Sequence, residues 1–415
     1  MLLVLGVVLA ALAALNRRHG RSWLYPPAAF CGIWSAFVVG LILAGSRFDP
    51  ISIETQSLYA VGALSFSIGG LLANRIGAGV GSLKEEAVTP RPGMTVIQRR
   101  MFIIGAIVLV GIVPAYWRGI VAMSAASTSQ DLWQGIRTQT VAASQGDIGL
   151  GTLELVVPFS TFLSLIAVYL RPRNTAERLL VAIIVVVGLA VHVVTAARLG
   201  AFITLFALAA VLWLRDGRIK TRHLALLVVS FSLVFAFAAI VLEKGGARDA
   251  GYLDNVRMLA DSFRIYLLGG LVAFDKVVGD NTPASPPYYT LRFFYSLARA
   301  MGSNTEVPNI ILPFVTVPDL TNVYTIYYPY YTDFGTAGLC LLTGLLGGVL
   351  TALYRKARVG RPVPAVLYSL AFAFILLSSS LESFAVSLSY WIQATLFVSV
   401  FFRLPGWWSR IKPTR

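Results

Sequence analysis

Long apolar runs are the feature that most limits what this 415-residue chain can fold into. A helix needs about 20 apolar residues to cross the hydrocarbon core of a bilayer, and somewhat fewer where polar ends reach the headgroups. The sequence therefore predicts a single all-α polytopic transmembrane domain over residues 1–415, with about eleven transmembrane helices. The predicted spans lie near residues 1–15, 27–45, 57–74, 101–122, 151–170, 179–196, 199–214, 224–242, 334–354, 363–381 and 390–403.

The composition also indicates a membrane protein. Hydrophobic residues make up 57% of the chain and charged residues 13%, whereas about a quarter of an average soluble domain is charged. The net charge of +15 does not indicate a nucleic-acid partner, because the charges lie between the apolar runs. Cys31 and Cys340 lie inside apolar runs and the three histidines are far apart, so we expect no disulfide framework, no metal site and no cofactor.

The distribution of lysine and arginine predicts an N-out, C-in topology. Of the 34 basic residues, 23 lie in short segments on one side, and the remaining 11 are spread over a far longer stretch on the other. Because Arg17, Arg18 and Arg21 follow the first apolar run, this run does not resemble a cleavable signal peptide. The basic segments that we assign to the cytoplasm are 16–25, 74–100, 171–178, 215–223, 355–362 and the tail from 403.

The exterior side is dominated by residues 243–333, which join spans eight and nine. A connection of that length is usually functional, and we expect it to form the active site and to contain short helices. Its segment 252–267 has the period of an amphipathic helix, while 265–279 and 310–318 are apolar but too short to span and are expected to be re-entrant or interfacial. A smaller exterior loop covers 123–150. Ionisable residues at span edges lie toward exterior ends, which favours a site at headgroup level: His192, Arg198, Glu243, Asp275, Lys276, Asp333 and Glu382.

Three arginines are candidate ligands of a phosphate group, because the planar guanidinium suits phosphate oxygens better than a lysine does. Arg198 lies in a tight turn between spans six and seven, although it could instead reach a lipid phosphate. Arg257 and Arg264 share one face of the predicted amphipathic helix with Asp254 and Asp261. The alternative for these four residues is a ladder of weak ion pairs along the helix.

The segment NVYTIYYPYYTDFG, residues 322–335, concentrates tyrosines on the predicted exterior side. Tyr324, Tyr328 and Tyr331 could anchor the chain at the membrane interface or form a platform for sugar faces. Asp333 immediately precedes span nine, where its carboxylate could cap the helix. Within that span, the GxxxG spacing of Gly344 and Gly348 predicts close helix packing.

The longer segment NVYTIYYPYYTDFGTAGLCLLTGLLGG, residues 322–348, resembles the N-x-Y-T…D-F-G-x-x-G signature of oligosaccharide repeat-unit polymerases, the Wzy-type O-antigen polymerases. The order of elements is also similar, with an Ala-Arg-Leu-Gly turn at 197–200, a large exterior loop, a glycine-rich span and a basic exit at 355–358. The family turn often reads Ser-Arg-Gly. The architecture implied is that of lipid-sugar-dependent, GT-C-like glycosyltransferases.

The resemblance implies a metal-independent glycosyltransferase that joins repeat units carried on undecaprenyl diphosphate, at the outer face of the bacterial inner membrane. The implied product is O-antigen or a similar surface polysaccharide. The implied partners are the lipid-linked oligosaccharide as donor and acceptor and the bilayer, with no nucleic acid, and the sequence leaves open whether a chain-length regulator also binds. In such a reaction the arginines would bind the leaving diphosphate. Glu306, in the polar stretch GSNTEVPN, or Asp333 would accept the proton of the acceptor hydroxyl, although Glu306 could equally be a solvated loop residue.

Two other functions remain open from the sequence. An O-antigen ligase shares the architecture and the donor, but such enzymes resemble this chain less over 322–335, and none of the three histidines lies in the 243–333 loop. A transporter of lipid-linked sugars would be expected to show inverted repeats and broken helices in matching positions, and neither is clear in this sequence.

Overall fold

The computed structural model describes residues 1–78, 93–125, 132, 135–136, 151–194, 198–241, 252–279, 287–309 and 311–411. These residues are mainly helical, with one short β-hairpin. The α-helices are α1 Leu2–Gly20, α2 Pro26–Ala44, α3 Ile53–Ala78, α4 Val96–Ala125, α5 Val156–Tyr169, α6 Thr175–Val194, α7 Arg198–Asp216, α8 Thr221–Val241, α9 Tyr252–Gly279, α10 Arg292–Ala300, α11 Tyr327–Arg358, α12 Pro362–Leu376 and α13 Leu388–Ile411. The strands are β1 Val315–Val317 and β2 Asp319–Thr321, which pair antiparallel.

The helices agree with a multi-pass membrane protein. Within the described ranges, seven are long and apolar enough to cross a bilayer, namely α1, α2, α3, α4, α6, α7 and α11. The other four predicted spans fall on shorter apolar helices, at Leu153–Tyr169, Thr221–Val234, Pro362–Leu376 and Leu388–Leu404. An all-α polytopic fold is therefore supported, while the count of eleven spans and their orientation stay predictions.

The orientation can be checked by labelling single cysteines with a reagent that does not cross membranes. Because basic loops are retained in the cytoplasm, Glu85→Cys and Lys220→Cys are expected to react only from the cytoplasmic side. Ser285→Cys is expected to react only from the exterior side. A Cys340→Ser background removes the partly exposed native thiol, and Cys31 is buried. Reaction of position 285 from the cytoplasm would contradict the predicted topology.

The chain divides into two compact units. The first contains Met1–Glu85, Ala260–Arg355 and Phe374–Ser389. The second contains Glu86–Leu259, Lys356–Ala373 and Tyr390–Arg415. Most of the candidate site residues belong to the first unit, and Arg198 and Arg257 belong to the second.

The core of the first unit is aromatic. Trp34 lies with its ring centroid 4.7 Å from that of Tyr327 and 5.0 Å from that of Tyr59, and Phe30 stacks on Phe66 at 4.3 Å. The Trp34 indole N–H has a buried partner, since it donates to Ser378 Oγ at 3.0 Å. This cluster holds the first turn of α11 and therefore the tyrosine-rich segment that the sequence singled out.

Close packing of α3 against α11 confirms the predicted GxxxG contact. A Cβ atom on Gly344 would lie 3.4 Å from the carbonyl oxygen of Ser65, and one on Gly348 would lie 3.3 Å from that of Gly69. At Gly347, between them, a Cβ atom would overlap the backbone carbonyl of Phe66. The two helices approach this closely because these positions carry no side chain.

Gly347→Ala is expected to destabilise the protein, because the new methyl group meets backbone that cannot move aside as a flexible side chain would. Overpacking of this kind costs about 1–3 kcal/mol. The matched control is Gly111→Ala in α4, where a Cβ atom meets nothing within 4 Å and where alanine favours the helix by about 1 kcal/mol. Thermal unfolding of the two detergent-solubilised variants measures the difference. Equal melting temperatures would contradict the close contact.

The segment predicted to be exterior differs from its sequence prediction in one respect. Residues 252–267 and 265–279 form the single 28-residue helix α9 rather than an amphipathic helix followed by a separate re-entrant or interfacial stretch. Leu271, Val272 and Phe274 in its second half are fully buried. At Gly270 the helix passes directly against the backbone carbonyl of Ser379, an approach that leaves no room for a Cβ atom.

The other predictions for the exterior segments concern residues 310–318, the rest of the large loop and the 123–150 loop. The apolar stretch 310–318 contains β1 and the turn of the hairpin, apart from residue 310, which lies outside the described residues. Residues 243–251 and 280–286 of the large loop also lie outside them, as does most of the 123–150 loop. The short helix predicted in the large loop is represented by α10.

Candidate functional site

Two arginines in the first unit share one aspartate. Arg264 and Asp261 lie one turn apart on α9, and the guanidinium nitrogen is 2.8 Å from Oδ1 of the carboxylate. Arg47, which follows α2, forms an ion pair with the same oxygen. All three side chains are about half exposed, and because two guanidinium groups share one carboxylate, these three residues together carry a net positive charge. This group, Arg47, Asp261 and Arg264, is called the α9 cation cluster below.

Arg257 lies in the second unit and is more weakly held. Its guanidinium is 3.7 Å from the carboxylate of Asp254, and both side chains are largely exposed. The spacing of three residues is the one predicted for both Asp–Arg pairs of α9. The ion-pair ladder is therefore present, and phosphate binding by Arg257 and Arg264 stays a prediction.

Arg198 is the first residue of α7, and its side chain lies outside the described residues. Helix α6 ends at Val194, and residues 195–197, over which the tight turn is predicted, lie outside the described residues. The start of α7 is held by a buried polar group: Nε2 of His192 lies 2.9 Å from the Thr161 hydroxyl and 3.1 Å from that of Thr204. Thr204 in turn donates to the Gly200 carbonyl at 2.9 Å. These contacts hold the first two turns of α7, the helix that begins at Arg198.

Asp333 is buried and fully engaged by the loop that precedes α10. Its Oδ1 accepts the backbone N–H groups of Tyr288 and Tyr289 at 2.9 and 3.1 Å. Its Oδ2 accepts the N–H and the hydroxyl of Thr290 at 2.7 and 2.6 Å. A carboxylate has about four acceptor sites, so these four bonds account for them. The geometry is that of an anchor for residues 288–290, while a role as catalytic base stays a prediction.

Asp333 lies just before a break in its helix. The helical run begins at Tyr327, six residues earlier, and comprises two helices that meet at a kink, so Asp333 ends the first and precedes the membrane-spanning second one, while its carboxylate binds residues 288–290. The run is interrupted at Gly335, whose φ of 63° and ψ of −161° are accessible to glycine but strained for other residues. The interruption separates two helical segments. The Asp333 carboxylate, just before the interruption, binds the loop, and the membrane-spanning segment begins after it.

Glu306 is exposed and lies beside Tyr288. The Tyr288 hydroxyl is 3.4 Å from Oε1 of Glu306, at the long limit of a hydrogen bond. Burial and the neighbouring Glu306 carboxylate raise the pKa of Tyr288, so the phenol stays protonated and can donate. Because Asp333 binds the backbone of Tyr288, the two carboxylates that the sequence proposed as bases are connected through this one residue.

The three tyrosines proposed to bind sugar are buried. Tyr324, Tyr328 and Tyr331 are 2%, 4% and 1% exposed, and the rings of Tyr324 and Tyr328 lie 4.3 Å apart. The Tyr324 hydroxyl donates to the Pro313 carbonyl at 3.0 Å, and the Tyr328 hydroxyl donates to that of Tyr289 at 3.4 Å. The three rings pack against other rings, and direct sugar contact stays a prediction.

The sequence did not identify a second aromatic group on the loop. Tyr288, Tyr289 and Tyr295 are only half-buried. The ring centroids of Tyr288 and Tyr289 are 5.4 Å apart, and that of Tyr289 lies 5.4 Å from Tyr328 behind it. These three tyrosines are called the loop rings below. Through Tyr288, whose hydroxyl is 3.4 Å from Glu306, the loop rings adjoin one of the two candidate bases.

Glu382 is a second buried carboxylate with a structural role. It accepts backbone N–H groups from Phe384 and Ala385 at 2.7 and 2.8 Å, and that of Val386 at 2.8 Å. The Tyr330 hydroxyl donates to it at 2.8 Å. It therefore ties the segment between α12 and α13 to the first turns of α11. As for metals, no group of three or more ligand-type side chains is found within the described ranges.

Asp333→Asn is expected to release the loop from α11. The amide has one acceptor oxygen in place of two, so buried N–H groups of residues 288–290 lose their partners at about 1–3 kcal/mol each. Hydrogen exchange at these amides, measured by mass spectrometry, should become faster. Glu306→Gln is the matched control, since it removes a carboxylate from the same loop without touching these bonds. Unchanged exchange in Asp333→Asn would contradict the anchoring role.

Comparisons with known proteins give one partial likeness. An O-antigen polymerase of Shigella dysenteriae is 31% identical to this chain over 116 residues. The match covers 28% of this chain and 29% of the Shigella protein, so the chain spans less than a third of that relative's length in the alignment. No family model matches the sequence, and no solved structure matches it. The likeness suggests a relationship to the proteins that the signature at 322–348 resembles.

Proposed function

We propose that this chain polymerises oligosaccharide repeat units carried on undecaprenyl diphosphate, at the outer face of the bacterial inner membrane. The observation that carries the proposal is the 31% identity to part of an O-antigen polymerase. The multi-pass helical fold supports it, because donor and acceptor lipids must both enter a site from the bilayer. The glycan product is a surface polysaccharide of the O-antigen type.

The proposed reaction is a glycosyl transfer between two lipid-linked glycans. The hydroxyl oxygen of the acceptor's terminal sugar bonds to the anomeric carbon of the donor glycan, and the bond from that carbon to the diphosphate breaks. Glu306 takes the hydroxyl proton, since it is exposed on the loop and, among the described residues, no backbone donor fills its acceptor sites. The departing undecaprenyl diphosphate carries away the bonding electrons as negative charge.

Arginines stabilise the negative charge that develops on the departing diphosphate. Arg198, Arg257 and Arg264 are the residues proposed from the sequence, and Arg47 joins them because it shares Asp261 with Arg264. Donors placed where charge develops in the transition state accelerate the reaction more than donors that bind the substrate equally well at all stages. The loop rings, with Tyr328 packed against Tyr289 and Tyr324 packed against Tyr328, provide flat surfaces for sugar faces.

Loss of the gene tests the proposal in the organism that carries it. A surface polysaccharide that stops at a single repeat unit, seen on a gel, indicates lost polymerisation. Long chains that are made but not attached would indicate a ligase. With purified protein and lipid-linked repeat units in detergent, we expect products of two or more repeats. In reconstituted vesicles, movement of the lipid-linked unit across the membrane without longer products would indicate a transporter.

A further inference from the structure

Helix α10 is a nine-residue helix with two different sides and no acidic residue. At about 100° per residue, Tyr295, Ser296 and its two arginines fall on one side. The opposite side carries apolar residues at the spacing of a helical stripe, and these are exposed by 37–74%. They are Leu291 just before the helix, Phe294, Leu297 and Met301 just after it.

The orientation of α10 is the reverse of that in a water-soluble protein. Its polar side is fastened to the chain: Arg292 Nε donates to the Pro308 carbonyl at 2.9 Å, and the Tyr295 hydroxyl donates to the Pro287 carbonyl at 2.9 Å. Burial lowers the pKa of Arg292, in agreement with its position between the helix and the loop. The apolar side points away. In water this arrangement would expose the most hydrophobic surface of the helix, so a nonpolar phase is needed to cover it.

The bilayer that surrounds the membrane-spanning helices is the nonpolar phase best suited to cover the apolar side of α10. A nine-residue helix is about 14 Å long, less than half of the roughly 30 Å hydrocarbon core, so α10 cannot cross it and can only lie along its surface. Arg299 is exposed on the polar side. Its long stem can reach sideways to lipid phosphates, and the absence of acidic residues on α10 suits an anionic surface.

We propose that α10 lies in the plane of the membrane surface, on the side of the membrane where its loop lies. Its residues Leu291, Phe294, Leu297 and Met301 insert among the lipids, and Arg299 lies at the phosphates. In helices of this kind the apolar face enters about 5–10 Å into the boundary between headgroups and acyl chains. If the proposed function holds, this contact keeps Glu306 and the loop rings at the depth of the substrate diphosphate. The lipid contact itself does not depend on that function.

The test measures depth directly, without an activity assay. Single cysteines Phe294→Cys and Leu297→Cys on the apolar side, and Ser296→Cys on the polar side as matched control, are made in the Cys340→Ser background. Each carries an environment-sensitive fluorophore in vesicles of phosphatidylcholine and phosphatidylglycerol. We expect a lipid with a nitroxide near its headgroup to quench positions 294 and 297 several-fold more strongly than position 296, and a water-soluble nitroxide to show the reverse order.

Two results would overturn the proposal. Quenching of positions 294 and 297 mainly by the water-soluble nitroxide would place the apolar side in water. Shielding of both positions from both quenchers would show that protein covers it, for example a second copy of the chain. Met301→Cys, at an end position that is 74% exposed, provides another reporter on the same side if a helix variant does not reconstitute.

Discussion

Arg264→Lys is expected to lower the rate of polymerisation about 10²–10³-fold, equivalent to about 2.7–4 kcal/mol of transition-state stabilisation. Lysine keeps the charge but loses the planar fork of donors that can hold two phosphate oxygens at once. Stability should hardly change, because an exposed ion pair contributes about 0–1 kcal/mol and the Arg264 and Asp261 side chains are 46% and 42% exposed. The purified variant is assayed on lipid-linked repeat units, with thermal unfolding measured alongside.

The control for Arg264 is its own partner. Asp261→Asn breaks the same ion pairs, to Arg264 and Arg47, but leaves both guanidinium groups in place. If the α9 cation cluster only stabilises the helix, both variants lose a little stability and neither loses much rate. If it binds diphosphate, Asp261→Asn retains most of the rate and Arg264→Lys does not. Arg198→Lys and Arg257→Lys extend the series, and normal rates in all three arginine variants would remove diphosphate binding by these residues.

The membrane fold could be predicted because its signal is local. An apolar run long enough to cross a bilayer forms a helix wherever it lies, since lipid offers no other partner for backbone groups. The continuity of α9 was harder to predict than the spans, because the hydropathy of the sequence changes near residue 265 while the helix continues. Whether a helix continues depends on backbone hydrogen bonds and on space for Gly270 beside Ser379, and neither is visible in a hydropathy pattern.

The candidate site shows the same division between local and distant contacts. The Asp254–Arg257 and Asp261–Arg264 pairs follow from helical spacing alone. Arg47 is 214 residues from Asp261, and no pattern along the chain connects them. The anchoring of the loop by Asp333 joins residues 43–45 apart through backbone N–H groups, which every sequence possesses and which therefore leave no signal.

Glu306→Gln is expected to lower kcat about 10²–10⁴-fold, the usual contribution of a general base. Glutamine is nearly the same size and keeps a carbonyl oxygen for the Tyr288 hydroxyl, so the loop should stay in place. The substitution removes only the ability to take a proton from the acceptor hydroxyl. The measurement is the polymerisation rate at saturating lipid-linked substrate, with hydrogen exchange at residues 288–290 showing that the loop is intact.

The comparison with Asp333→Asn separates chemistry from support. Both variants should make little polymer, but for different reasons: Asp333→Asn frees the backbone of Tyr288 and its neighbours, so exchange rises there, whereas Glu306→Gln leaves exchange unchanged. A third variant, Tyr288→Phe, removes the hydroxyl near Glu306 and keeps the ring, and it should cost far less rate than Glu306→Gln if that hydroxyl only orients the carboxylate. Normal turnover in Glu306→Gln would exclude Glu306 as the base. If Asp333→Asn then lost turnover without faster exchange, the proton would pass to Asp333, which would have to release Thr290 first.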